Sequence, residues 1–202
     1  MNCATWKATA VTGVLLACGT AVADRGNAMS APKAETALAI STRTAQVLHR
    51  SVKIDASFER FTSTLESILG HFPFDIQRDI IEHPQLAAER LKAAEGAQEL
   101  MVFSVFDHGA ALNLVGARTN AKQYLIGNPL TAIQMSQHDI RAALYAPLRV
   151  LVYEQGEGHT IVEYDQPSSQ FGQFGLTDVT QVAMTLDVKL ERVLVQAAEL
   201  SR

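Results

Sequence analysis

Leu148-Arg149-Val150-Leu151-Val152-Tyr153-Glu154, then Gln155-Gly156-Glu157-Gly158-His159, then Thr160-Ile161-Val162-Glu163-Tyr164 read as two β-strands joined by a tight turn. The flanks are rich in β-branched residues, and the two glycines between them supply the positive φ that a hairpin turn needs. A hairpin commits its strands to antiparallel pairing, so the sheet that grows from it is expected to be mostly antiparallel. Alternation puts Arg149, Leu151 and Tyr153 on one face and Leu148, Val150, Val152 and Glu154 on the other.

Upstream, Lys122 to Ile126 reads as a strand closed by Gly127-Asn128-Pro129, where Asn128 suits a helix N-cap and Pro129 the first helical position. A short helix through Ile133 and Met135 should follow. Leu100 to Phe106 is an almost unbroken apolar run, expected to be a strand buried on both faces and ended by Asp107-His108-Gly109. Val47 to Ile54 is a first strand. After it, Asp55 or Ser57 caps a helix whose Phe58, Phe61, Leu65, Ile68 and Leu69 share one face and which stops at Gly70. Asp75 to Glu95 divides into two helical pieces at His83-Pro84, because an internal proline breaks the hydrogen-bond ladder. Pro167 ends the last strand, and Gln170 to Gly175, two Gln-Phe-Gly triplets, reads as a loop anchored by Phe171 and Phe174, or alternatively as an aromatic binding surface. The chain closes with Val179, Val182, Ala183, Leu186, Leu190, Val193 and Ala197 on one helical stripe, with Thr177 as its cap. Strands joined partly by hairpins and partly by helices define an α+β class: a mostly antiparallel sheet with helices packed on one face, in a single domain over residues 46–202.

The chain has 202 residues, 48% hydrophobic and 19% charged, enough apolar material for one globular core. Seventeen basic residues against twenty-one acidic ones give −4, which argues against nucleic acid as a partner. Lys7, the apolar run Ala8 to Ala17 and the small residues Ala21-Val22-Ala23 have the layout of a secretory signal peptide over residues 1–23. The apolar run is about half the ~20 residues that span a bilayer, so no transmembrane helix is expected after processing. The expected location is periplasmic or secreted. Leu15-Leu16-Ala17-Cys18 reads alternatively as a lipobox that would anchor the chain to a membrane through Cys18. Cleavage at Ala23 removes both cysteines, so the mature fold is held by its core and not by disulfides. Residues 24–45, small and polar, read as a flexible tether.

Chemistry-bearing residues are few. His108 beside Asp107 could serve as a general base, although adjacent strand residues point to opposite faces, and the blander reading has Asp107 capping a turn. The six histidines show no i, i+2 or i, i+4 pairing, so no metal site is read, and no cofactor is indicated. The N–H groups after Asn128 could hold an anion or could simply be capped. Arg149, in the middle of an apolar strand, is either half of a buried ion pair with Asp107 or Asp165 or a clamp for a ligand's carboxylate.

Phe106-Asp107-His108-Gly109, Gly127-Asn128-Pro129, Ala146 to Glu154 and Tyr164-Asp165-Gln166-Pro167-Ser168-Ser169 come in an order and spacing that resembles the domain of unknown function 302 family. The resemblance covers about residues 100–200 and implies a compact α+β domain, often dimeric, with no settled reaction, cofactor or substrate. Relative to the simplest members, the helical stretch between Gly70 and Gln98 looks like an addition.

The expected function is a non-catalytic small-ligand-binding or protein-interaction module of the cell envelope. Asp107, His108, Asn128, Arg149 and Tyr164 would line one concave region that takes a small polar or anionic ligand. The alternatives are an enzyme using His108 or Asp107 as acid or base in a cleft near Asn128 and Arg149, and a purely structural homodimeric module.

Overall fold

The computed structural model describes residues 38–156 and 159–202. The expected signal peptide, Cys18 and the first part of the tether lie outside these residues. Six strands form one mixed sheet: β1 His49–Ile54, β2 Gly70–His71, β3 Met101–Asp107, β4 Ala121–Gly127, β5 Leu148–Gln155 and β6 His159–Asp165. Their order is β1-β6-β5-β4-β3-β2, and each neighbouring pair is antiparallel except the two-residue β2–β3 ladder. The β5–β6 hairpin pairs Val150 with Tyr164 and Gln155 with His159, with Gly156 at φ +64° beginning the turn.

Among the described residues seven α-helices accompany the sheet: α1 Phe58–Ile68, α2 Gln77–Glu82, α3 Pro84–Ala93, α4 His108–Leu112, α5 Pro129–Ser136, α6 Pro167–Phe171 and α7 Thr177–Leu200. Ser57 caps α1 by accepting from the Arg60 N–H, and the chain breaks between α2 and α3 at His83-Pro84. At α7 the cap position belongs to Leu176. Thr177 is already helical, so its hydroxyl does not take the capping role expected of it.

The core is where α1 and α7 meet the sheet. Phe58, Phe61 and Leu65 from α1, and Val179, Ala183, Leu186, Leu190, Val193 and Ala197 from α7, pack with Tyr124, Ile126, Val150, Val152, Val162 and Tyr164. The opposite sheet face carries Arg149, Leu151 and Tyr153, as strand alternation requires. A smaller cluster of Ile76, Ala87 and Leu91, with Phe72 and Leu130 against it, holds α2 and α3. Arg90 ties this cluster to Asp75 at 2.7 Å and to Asp79.

Two segments differ from expectation. In β3 only Met101 and Val102 are buried, while Val105 and Phe106 are 39% and 52% exposed. The reason is topological: β2 covers β3 only at Met101 and Val102, and beyond them β3 is the sheet's edge. The segment expected to be a loop after Pro167 is instead α6 followed by a 3-10 turn, Gly172–Phe174. Asp187 on α7 accepts from the Ser168 N–H at 2.8 Å and from the Gln166 amide at 2.9 Å, which fastens the start of α6 onto the long helix. Phe171 is fully buried, as an anchor should be.

One pair of glycines brings α3 close to β2. A Cβ on Gly70 would lie 1.9 Å from the Ala94 carbonyl oxygen, and one on Gly96 would lie 2.0 Å from the Gly70 nitrogen. Only hydrogen at both positions lets the two backbones touch.

Candidate ligand cavity

The antiparallel pairing Ile126↔Leu148 brings the end of β4 beside the start of β5, so Gly127-Asn128-Pro129 and Ala146-Pro147-Leu148 become neighbours. Between them and the helices lies a cavity of about 290 Å³. Thr131, Ala132, Met135 and Ser136 of α5 form one wall, and Ala142 and Ala143 of the following 3-10 segment form another. Phe171 of α6 and Leu186 of α7 contribute from the core side. Phe72 and Phe103, stacked with ring centroids 4.4 Å apart and planes at 17°, lie on the far side with Ile80 of α2. The space exists because four alanines and Gly127 stand where larger side chains would fill it. Ile80 is 48% exposed, and Ile81, Ile133 and Leu144, each next in sequence to a lining residue, are exposed as well.

Among the described residues, none of the lining side chains is ionisable. A charged ligand would therefore lose its hydration without gaining a partner. The polar group best defined at the wall is Asn128, only 5% exposed. Its Oδ1 accepts from the Leu130 N–H at 2.8 Å, closing the N-terminus of α5. Its Nδ2 donates to Glu95 Oε1 at 2.7 Å and to the Glu99 carbonyl at 2.8 Å. That second bond holds a strained backbone, since Gln98 and Glu99 sit at φ +56° and +61° without being glycine. Lys189 of α7 adds an ion pair with the Glu99 carboxylate, which holds that carboxyl below its usual range. Of the N–H groups in the expected anion cradle after Asn128, that of Leu130 is taken by the Asn128 side chain itself, and Pro129 has none to offer.

The other expected site residues are not brought together with Asn128. Asp107 pairs with Lys122 at one end of β4, whereas Asn128 follows the other end, six residues and roughly 20 Å away along the strand. Asp107 accepts from the Ala110 N–H at 2.7 Å as the cap of α4, and His108, the first residue of that helix, is exposed. Tyr164 pairs with Val150 and so shares its core-facing side, which places Arg149 on the opposite face. Arg149 is exposed and has no ion pair among the described residues. Asp165, one of its expected partners, bonds His49 Nδ1 at 3.0 Å, and Asp107 is the α4 cap. Tyr164 is 5% exposed and borders a separate groove with Arg50 and Glu191. Burial, and then the Glu191 carboxylate, push its phenol above the ordinary range. The shared concave region expected of the five residues does not form, because residues close in the strand pattern fall at different strand ends and on different faces.

The residues that do converge carry weak signals in sequence. Phe72, Phe103, Met135 and Leu186 look like ordinary core side chains, and Ala132, Ala142 and Ala143 look like ordinary helix formers. The available clue was that Gly127-Asn128-Pro129 and Ala146-Pro147-Leu148 both fall at strand ends, where an antiparallel pair would join them.

A six-stranded mixed sheet, helices on one face and an apolar cavity at one sheet end define a single α+β domain. The family model for the domain of unknown function DUF302 matches residues 76–197, and the chain belongs to that family. The match starts at residue 76, so α2 and α3 lie inside the matched span. The fold is similar to the crystal structure of an uncharacterized conserved protein DUF302 from Bacillus stearothermophilus, with a TM-score of 0.52 and 14% sequence identity. That similarity covers 76% of this chain and 98% of the other. Among curated proteins, none matches the chain in sequence.

Proposed function

We propose that this DUF302 domain is a non-catalytic binding module, exported to the cell envelope or beyond, that holds a small molecule in the cavity between β4, β5, α5 and α7. The observation that carries the reading is the cavity itself: about 290 Å³, formed at the junction of two of the four family motifs and lined without an ionisable side chain. Concave, mostly apolar pockets with a few placed polar groups are the usual form of small-molecule sites. A general acid or base at this place would need a titratable group in contact with the ligand, and the walls supply none, which favours binding over turnover. The site expected to use His108 or Asp107 near Asn128 and Arg149 has no support in their separation.

Native mass spectrometry of the purified mature protein tests the binding claim, with Ala132→Phe filling the cavity from α5. A non-covalent small-molecule mass on wild type that the variant lacks supports the reading. Wild type that carries no such mass, and whose Tm is not raised by any of a panel of small uncharged compounds, overturns it. Intact mass of the exported protein tests the location: a mature chain starting at Asp24 is expected. A lipidated Cys18 would replace the free form by a membrane-anchored one, and unprocessed cytoplasmic protein would refute export.

A further inference from the structure

Thr131 is the one polar side chain in the cavity wall whose hydrogen bonding is left open. It is 7% exposed, sits on the first turn of α5 and lines the cavity. The other wall residues with polar side chains are engaged: Asn128 makes three hydrogen bonds, and the Ser136 hydroxyl donates to the Ala132 carbonyl at 3.1 Å. No hydrogen bond involves the Thr131 hydroxyl among the described residues, whereas buried threonines elsewhere in the chain are satisfied, as Thr160 is by the Ala56 carbonyl at 2.7 Å. Among the described residues no fully enclosed side-chain oxygen or nitrogen lacks a partner, so the Thr131 oxygen keeps some exposure on a residue that lines the cavity. A nearly buried hydroxyl left in this way is one that a ligand can satisfy.

Resting on the reading of the cavity as a binding site, we infer that its ligand is an uncharged, largely hydrocarbon molecule carrying one hydrogen-bonding group, which pairs with the Thr131 hydroxyl. The volume bounds its size. A cavity of ~150 Å³ holds benzene, so about 290 Å³ suits two fused rings or a chain of similar bulk, roughly ten to twelve non-hydrogen atoms. The stacked Phe72 and Phe103 rings offer a flat surface for an aryl or alkenyl body. A charge seated inside the walls is disfavoured, because none of the described lining residues can pair with it.

The experiment compares three compounds of matched shape: naphthalene, 1-naphthol and 1-naphthoate. Each is titrated into the mature protein against the neutral fluorescent probe N-phenyl-1-naphthylamine, using wild type, Thr131→Val and Ala132→Phe. Wild type is expected to bind 1-naphthol roughly threefold to tenfold more tightly than naphthalene, the worth of one hydrogen bond. It should bind 1-naphthoate at least tenfold more weakly than 1-naphthol. Thr131→Val keeps the side-chain shape and should erase the preference for the naphthol over naphthalene. A naphthol preference that survives in Thr131→Val, or 1-naphthoate binding as tightly as 1-naphthol, overturns the inference while leaving the cavity as a site. Binding of the probe that Ala132→Phe does not reduce places it elsewhere and overturns both.

Discussion

Asn128 joins the helix cap, the strained turn and the cavity wall, so replacing it tests how this end of the sheet is held. In Asn128→Ala the N-cap bond to Leu130 is lost, at about 1 kcal/mol. The Nδ2 bond to the Glu95 carboxylate is charge-assisted and contributes about 1.5 kcal/mol, and the bond to the Glu99 carbonyl about 1 kcal/mol. Glu95 is only half-buried and water can replace part of its bond, so the net loss expected is about 3 kcal/mol. Two further variants divide that figure. Asn128→Ser keeps a capping oxygen and loses both donors, so it should cost about 2 kcal/mol. Asn128→Asp also caps, but it faces the Glu95 carboxylate with a second one. That repulsion raises the new carboxyl's pKa in the folded state, so the variant should be the least stable of the three near neutral pH and should recover as pH falls through the carboxylate range. Urea denaturation monitored by circular dichroism measures all three, with m-values compared to confirm that the same transition is read. If Asn128→Ser and Asn128→Asp both stay within about 0.5 kcal/mol of wild type, Asn128 is only a helix cap. Its ties to Glu95 and Glu99 would then contribute nothing, and the reasoning about the strained turn would fail.

Leu186, 4% exposed between the core and the cavity, should cost about 2 to 5 kcal/mol as Leu186→Ala, and an unchanged urea midpoint would deny its burial. Gln98→Gly should stabilise the fold by about 1 kcal/mol, because glycine adopts the φ of +56° without strain; a loss of stability would mean that the Gln98 side chain matters more than its backbone. His49 lies between two carboxylates, and its pKa is raised first by the hydrogen bond to Asp165 and then by Glu163. The charged form's contribution is therefore fully present below the unfolded value of ~6.5 and is lost as pH rises through the higher folded value. For a side chain this exposed the effect should stay under about 1 kcal/mol, so wild type should be slightly more stable than His49→Gln at pH ~5.5 and equal to it at pH ~8.5. An advantage that is the same at both pH values would refute the pairing.

The amino-acid order alone determined those parts of the fold that rest on local periodicity and backbone chemistry. The hairpin from Leu148 to Tyr164, the break at His83-Pro84, the Asn128 cap and the stripe of α7 are each written within a few residues, because alternation, proline and capping act over one turn or one strand. From them followed the α+β class. The tertiary structure decided which strand ends meet. Asp107, Asn128, Arg149 and Tyr164 each sit on or beside a strand, but antiparallel pairing sends Asp107 and Asn128 to opposite ends of β4, and the Val150↔Tyr164 register sends Arg149 and Tyr164 to opposite faces. The same pairing sets Ile126 against Leu148, which brings Gly127-Asn128-Pro129 beside Ala146-Pro147 and leaves a void among alanines. A cavity is set by the packing of side chains far apart in sequence, so no local pattern announces it, and residues that read singly as core become the walls of the candidate site.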